Sequence, residues 1–247
     1  MPTVSAKPIR AVSRTERRET ESGTLALRAR ISQMKKDVAA GKHVIAVFDL
    51  DDTLFDTRYR TLNIGKAFDK ENGTKFFSGL KIGQVEHTGE ETAEALHLPE
   101  AVVAAFDEYW DDEFWKPENL KFDKPLTESL RWVTEAQKAG AEVRFLTGRT
   151  TDTTQACLKQ LHDAGFKVPL ESVVTKPRYR RTPQFKADCL GDWARKSQIG
   201  FFLTESHRDI NFVVERVKNV NPFCIDSKFE HDEAPLAVGV PLLPSVF

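Results

Sequence analysis

Residues 43–56 read HVIAVFDLDDTLFD, and the interpretation of the whole chain turns on them. The run HVIAVFDL (43–50) is apolar, rich in β-formers and closes on acids, the pattern of a strand buried on both faces. Asp49 and Asp51 are two apart, so in an extended chain they point the same way. An apolar strand that delivers two carboxylates together is costly unless a cation or a proton compensates them. An ordinary acidic strand exit does not account for three acids and a threonine in one turn.

Working outward, EVRFLT (142–147) is a second strand, after a helix that Pro125 opens and Gly140 closes. A helix from about Asp152 to Gly165 leads to SVVT (172–175), a short third strand. Thr182-Pro183 supplies an N-cap and first turn for a helix bearing Phe185, Cys189, Leu190 and Trp193. IGFFLT (199–204) is the fourth strand, Ser206 caps the next helix, and VNPFCI (220–225) is a fifth strand that Pro222 places at a sheet edge. Upstream, Leu27, Ile31, Met34 and Val38 recur at helical spacing over 24–40, with Gly41 as the stop.

Strands alternating with helices predict an α/β fold: a Rossmann-like parallel sheet with helices on both faces. Ligands bind such sheets beyond the carboxyl ends of the strands. The unusual polar residues lie at those ends: Asp49 and Asp51, Thr147, and Thr204-Glu205. The alternation breaks once. Residues 57–122 are helix-like, and 66 residues are too many for a loop in a compact domain. They read as a small helical cap inserted after the first strand, between core segments 22–56 and 123–247; residues 1–21 read as a disordered basic tail.

A hard cation such as Mg²⁺ takes oxygen ligands and keeps waters and phosphate oxygens in its shell. With it bound, one carboxylate of the pair can attack phosphorus, and the other can protonate the leaving oxygen and later activate water. The segment resembles the DxDxT signature of the haloacid dehalogenase superfamily, matched by Asp49, Asp51 and Thr53. The resemblance implies an aspartyl-phosphate intermediate on Asp49 and a Mg²⁺ site shared by Asp49 and the backbone carbonyl of Asp51. It further implies phosphoester hydrolysis or transfer, because the dehalogenase branch lacks the second Asp.

Leu146-Thr147-Gly148-Arg149-Thr150 resembles the second motif of that family, a hydroxyl that hydrogen-bonds the phosphoryl group. A hydroxyl and free N–H groups at Thr147 and Gly148 make a phosphate cradle. The family takes a lysine from the start of the helix before the fourth strand; Lys186 fits that place, with Lys176 as competitor. The fourth motif departs from the usual pattern, reading Thr204-Glu205-Ser206-His207-Arg208-Asp209. Glu205 is then the expected third protein contact to the metal. Asp209 is expected close by, orienting metal waters or Lys186, or as the alternative ligand. Ser206-x-x-Asp209 is also close to a capping box. Asp56 fits either a substrate contact or a turn. Tyr109, Trp110, Phe114 and Trp115 fit a pocket lining or the core of the cap itself.

The chain's 30% charged residues sum to a net −1, although residues 1–42 alone carry ten Lys/Arg against four Asp/Glu. Residues 1–42 lack the aromatic interleaving of a nucleic-acid binder and the basic residues 176–181 carry a single aromatic, Tyr179, which argues against a polynucleotide substrate. Cys157, Cys189 and Cys224 have no metal-like pairing and read as buried apolar residues in a reduced, cytoplasmic setting. No apolar run has transmembrane length. The expectation is a Mg²⁺-dependent phosphatase acting on a small phosphomonoester. The alternatives are a phosphotransferase or mutase, or a non-catalytic phosphate-binding protein of the same fold.

Overall fold

In a computed structural model that describes residues 14–227 and 235–244, the elements run in the following order. A leading helix α1 (Arg14–Ala39) precedes β1 (Val44–Phe48) and the short β2 (Phe55–Asp56). Three helices follow: α2 (Arg58–Asn72), α3 (Gly89–Ala95) and α4 (Glu100–Phe114). Then come β3 (Lys124–Pro125), α5 (Thr127–Lys138), β4 (Glu142–Thr150), α6 (Thr154–Asp163) and β5 (Val173–Lys176). The last part comprises α7 (Thr182–Ala194), β6 (Gln198–Thr204), α8 (His207–Arg216), β7 (Pro222–Ile225) and β8 (Leu242–Leu243).

Six strands form one parallel sheet in the order β5-β4-β1-β6-β7-β8, so the carboxylate-bearing β1 lies inside it. Its side chains alternate between two cores, as the period of a strand dictates. Val44, Ala46 and Phe48 pack with α1, α5 and α6, whereas Ile45 and Val47 pack with α7 and α8. Burial on both faces explains why this strand lacks polar residues until Asp49. Among the described residues, no helix is long and apolar enough to cross a membrane.

The helices of residues 58–122 bury a third cluster of their own, built around Phe68, Phe77, Phe106 and Trp110. They join the sheet domain through a two-residue antiparallel ladder, Phe55 opposite Pro125 and Asp56 opposite Lys124. Pro125 therefore sits in this ladder instead of opening α5, which starts at Thr127.

Other expectations also shift. α1 begins at Arg14, ten residues before the expected start, because residues 14–22 contain good helix formers and neither Pro nor Gly. Disorder is thus not found over 14–21, and residues 1–13 lie outside the described residues. Pro222 is not at the sheet edge, since β8 pairs beyond β7; it takes the first position of its strand, where a missing N–H is tolerated. The cap of α7 is Arg181, with Thr182 and Pro183 already helical. Gly23 packs so tightly that an added Cβ would fall 1.9 Å from the Leu242 carbonyl oxygen, which is how α1 closes over β8.

Candidate active site

The end of β1 is held against β6 by Asp49 N–H donating to the Leu203 carbonyl at 2.9 Å. The chain then coils: the Leu50 carbonyl accepts from Leu54 N–H at 2.8 Å and Phe55 N–H at 3.0 Å, and Asp52 takes a left-handed φ of 47°. This coil is what brings Asp49, Asp51 and Thr53 to the carboxyl end of the sheet. Asp49 and Asp51 meet residues from β4, α7 and the β6–α8 junction at a cavity of about 550 Å³ that α4 also lines.

Asp49 is buried at the cavity floor. One of its oxygens accepts from the Leu50 N–H at 2.8 Å, and the other from the Thr204 hydroxyl at 2.9 Å and from Lys186. Lys186 is also buried and bridges Asp49 and Asp209. Burial alone would depress its ammonium, but Asp209, Asp49 and Glu205 outweigh that and raise it. Of the two candidate lysines, it is Lys186 that reaches Asp49. Lys176 instead points its Nζ at the Arg178 carbonyl, 3.4 Å away.

Glu205 sits on the other side of the loop. Its carboxylate accepts from Thr53 Oγ1 at 2.5 Å and from Thr204 Oγ1 at 3.2 Å, and its N–H donates to Thr53 Oγ1 at 3.2 Å. Thr53 thereby ties the β1 loop to the β6 loop. Burial raises the Glu205 carboxyl well above its usual range, and Asp49 pushes in the same direction. Asp49 is raised too, first by its burial. Asp209 turns to Lys186, while Ser206 Oγ accepts from the Asp209 N–H at 3.2 Å. Asp209 is therefore a partner of the lysine, one of the roles expected of it.

Asp49, Glu205 and Asp209 set three carboxylates against one ammonium, and burial raises two of the three acids. Such a surplus of buried negative charge is the environment a divalent cation stabilises. Among the described residues, no three His, Cys, Asp or Glu side chains converge as a ready cage. Mg²⁺ does not need one, since it binds through one or two carboxylates and completes its shell with waters and phosphate oxygens. Asp49, Glu205 and the Asp51 carbonyl fit that donor set.

Asp51 is the departure from expectation. Arg149 of β4 holds it by Nε at 2.9 Å and Nη2 at 2.7 Å, and Arg60 of α2 by Nη2 at 2.9 Å. Both guanidiniums also bind Asp123, which accepts from Arg60 Nε at 2.8 Å and from Arg149 Nη2 at 3.1 Å. Gln160 Nε2 adds a bond to Asp123 at 2.9 Å. Burial would raise Asp51, but the two arginines outweigh it and hold the carboxyl well below its usual range. Asp52, by contrast, is pushed up to about 7 by burial, although Thr57 donates to it.

Thr147 is fully buried, its hydroxyl accepting from the Arg149 N–H at 3.2 Å, and Gly148 is the residue of that turn that lines the cavity. Asp56 binds Arg58 and belongs to neither expected place, since it lies in the β2 ladder opposite Lys124 and is absent from the cavity lining. Trp110 and Phe114 serve both expected roles, in the cap core and on the cavity wall, and Trp115 lines the cavity from its rim. Of the basic stretch, Arg181 lines the cavity, while Arg180 pairs with Asp188. Sequence reading missed Arg60 and Asp123 entirely and assigned Arg149 no role. Only the Arg in the Thr-Gly-Arg strand end carried a signal.

No protein-family model and no curated protein matches the sequence. Solved structures do match the fold. A candidate phosphatase from Clostridium difficile is 13% identical with a TM-score of 0.53, over 75% of this chain and 86% of that one. A haloacid dehalogenase-like family hydrolase from Streptococcus pneumoniae is 14% identical with a TM-score of 0.50, over 82% and 93%. Protein Tyrosine Kinase A from Mycobacterium tuberculosis is 12% identical with a TM-score of 0.52, over 82% and 94%. The chain has the fold of the haloacid dehalogenase-like hydrolases. At these identities, the likeness is one of fold.

Proposed function

We propose that this protein is a Mg²⁺-dependent phosphomonoester hydrolase that works through an aspartyl-phosphate on Asp49. The observation that carries the reading is the Asp49–Lys186–Asp209 line at the floor of a cavity, beside a surplus of buried carboxylate. When bound, Mg²⁺ would be held by Asp49, Glu205 and the Asp51 carbonyl, and would offset the charge of the phosphoryl group. Asp49 supplies the attacking oxygen. Leu50 N–H and Thr204 Oγ1 hold its carboxylate in one orientation, which limits the loss of freedom at attack. Lys186 places a fixed positive charge beside one oxygen of that carboxylate, where it would offset the negative charge of a phosphoryl group brought up to Asp49. Gly148 presents backbone to the phosphate without a side chain in the way.

Asp51 fits one half of the expected role better than the other. As a carboxylate held by two guanidiniums, it stays ionised and can accept a hydrogen bond from an attacking water and orient it, although the same arginines make it a weak base. Donation to a leaving oxygen requires it to gain a proton against Arg60 and Arg149. The first half-reaction therefore depends more on the leaving group, and the hydrolytic half on Asp51. The test is phosphate release from a panel of phosphomonoesters with Mg²⁺ and after exhaustive chelation. Activity undiminished by chelation would remove the mechanism.

A further inference from the structure

The cavity is much larger than a phosphate requires, at about 550 Å³ within the range of sites that enclose whole small molecules. What fills the remainder has to suit the wall that α4 presents. Beside Asp111, that wall carries three rings in series, Trp115 standing just past the end of the helix. Trp110 and Phe114 lie 4.2 Å apart with planes 31° from parallel, and Trp115 meets Phe114 edge-on at 5.0 Å and 82°.

The series is rigid. Trp110 Nε1 donates to Thr61 Oγ1 at 2.9 Å, and the Arg60 guanidinium lies 4.2 Å from the centre of the Phe114 ring. Trp110 and Phe114 are buried, but Trp115 remains 44% exposed at the cavity rim. A large indole face left open beside a phosphate-sized anionic floor is apolar surface that a bound ligand would cover.

We infer that the cavity takes a phosphomonoester whose leaving group carries a flat aromatic ring, stacked on the Trp115 indole; this rests on the phosphatase reading of the Asp49 floor. Stacking on an indole tolerates many ring systems, because each has a π-face. A sugar can lie on an indole too, but its hydroxyls need polar partners. The nitrogen of Trp110 is already engaged by Thr61 and phenylalanine offers none, so these rings present only π-faces, while His87, Thr88 and Asp111 elsewhere on the lining offer polar atoms to hydroxyls or ring heteroatoms of the ligand. Arg181, exposed at the start of α7, adds a cation suited to a ring face or to the anionic ester.

The test measures kcat/KM of the full chain with Mg²⁺ for phenyl phosphate, adenosine 5′-monophosphate, glycerol 3-phosphate and glucose 6-phosphate. Trp115→Ala and Trp115→Phe are compared with the wild type. Because phenyl phosphate is intrinsically more reactive, binding of all four esters to Asp49→Asn, with and without Trp115→Ala, is measured by equilibrium titration. The expected result is that Trp115→Ala lowers the ring-over-aliphatic preference by about tenfold, chiefly through KM and binding, and that Trp115→Phe retains most of it. The two ring-bearing arms separate a phenolic from a nucleoside leaving group. A preference unchanged by Trp115→Ala, or glucose and glycerol esters bound as well as the ring-bearing ones, overturns the inference. If no ester is hydrolysed, the phosphatase reading fails, and the binding arm still decides the ring.

Discussion

Replacing Arg60 with Met tests the buried charges around Asp51 most directly. Arg60, Arg149, Asp51 and Asp123 form a neutral set of two cations and two anions, and the side chains of Arg60, Arg149 and Asp123 are wholly buried. Met retains much of the stem's packing but leaves two carboxylates facing one guanidinium. Removing one partner of a buried pair costs about 3–5 kcal/mol. In a chain of this size, each kcal/mol moves Tm by roughly 2–4 °C, so the expected fall is about 6–20 °C. The deficit should narrow in acid. The arginines hold Asp51 below its ordinary value of 3.8, so wild type keeps that stabilisation above this value and loses it only as pH falls through the lower folded one. Without Arg60 the folded value rises toward the ordinary one, so the variant has less of that stabilisation to lose as pH falls below 3.8. Thermal unfolding between about pH 7 and pH 2 reads both effects. Arg60→Met combined with Asp123→Leu restores neutrality and should cost clearly less than the two single changes together. A Tm drop under about 2 °C, or strict additivity within ~0.5 kcal/mol, would refute the idea that these four groups act as a unit.

Asp49→Asn should abolish turnover with the fold intact, and a rate above about a tenth of wild type, a barrier change under ~1.4 kcal/mol, would dismiss it as the nucleophile. Glu205→Ala should raise the Mg²⁺ concentration for half-maximal activity, because a direct oxygen ligand is lost. Asp209→Ala should instead lower kcat by ~10–100-fold with less change in the metal requirement, and a reversed pattern in the Mg²⁺ titration would exchange their roles. Ser206→Ala should lower stability by about 1 kcal/mol through the lost cap of α8, measured by urea unfolding. Asp52 has a folded value of about 7 against an ordinary 3.8, so it destabilises the fold increasingly as pH rises between those values. In chelator, Asp52→Asn should flatten that fall, and an unchanged pH slope would show that Asp52 is ionised throughout.

What could be read from the sequence was local. Asp49 and Asp51 announce themselves because acids terminate an apolar strand, and Lys186, Glu205 and Ser206 because they stand at the ends of recognisable elements. The inserted helices were legible through an absence, a long stretch without strands. Arg60, Arg149 and Asp123 were not, since their meaning lies in each other: Arg60 is 63 residues from Asp123, and Arg149 is 98 from Asp51. A buried arginine looks like any surface arginine until its partner is placed. β2, β3 and β8 have only two residues each, too few for a period. The extension of α1 to Arg14 was hidden because a charged stretch without apolar spacing resembles a solvated tail.

The ladder between β2 and β3 has a consequence for how this architecture can vary. Its antiparallel partners sit roughly 5 Å apart, and Leu126 N–H closes the neck by donating to the Leu54 carbonyl at 2.8 Å. The inserted helices therefore leave and rejoin the sheet at nearly one point. To the sheet, such an insertion is a loop with its ends already tied, and doubling its length adds only about 0.6 kcal/mol of closure entropy. Domains of different size can be spliced between Asp56 and Lys124 without disturbing strand order. The exception is Arg60: a replacement that lacks a guanidinium at that place would leave Asp51 and Asp123 to share Arg149 alone.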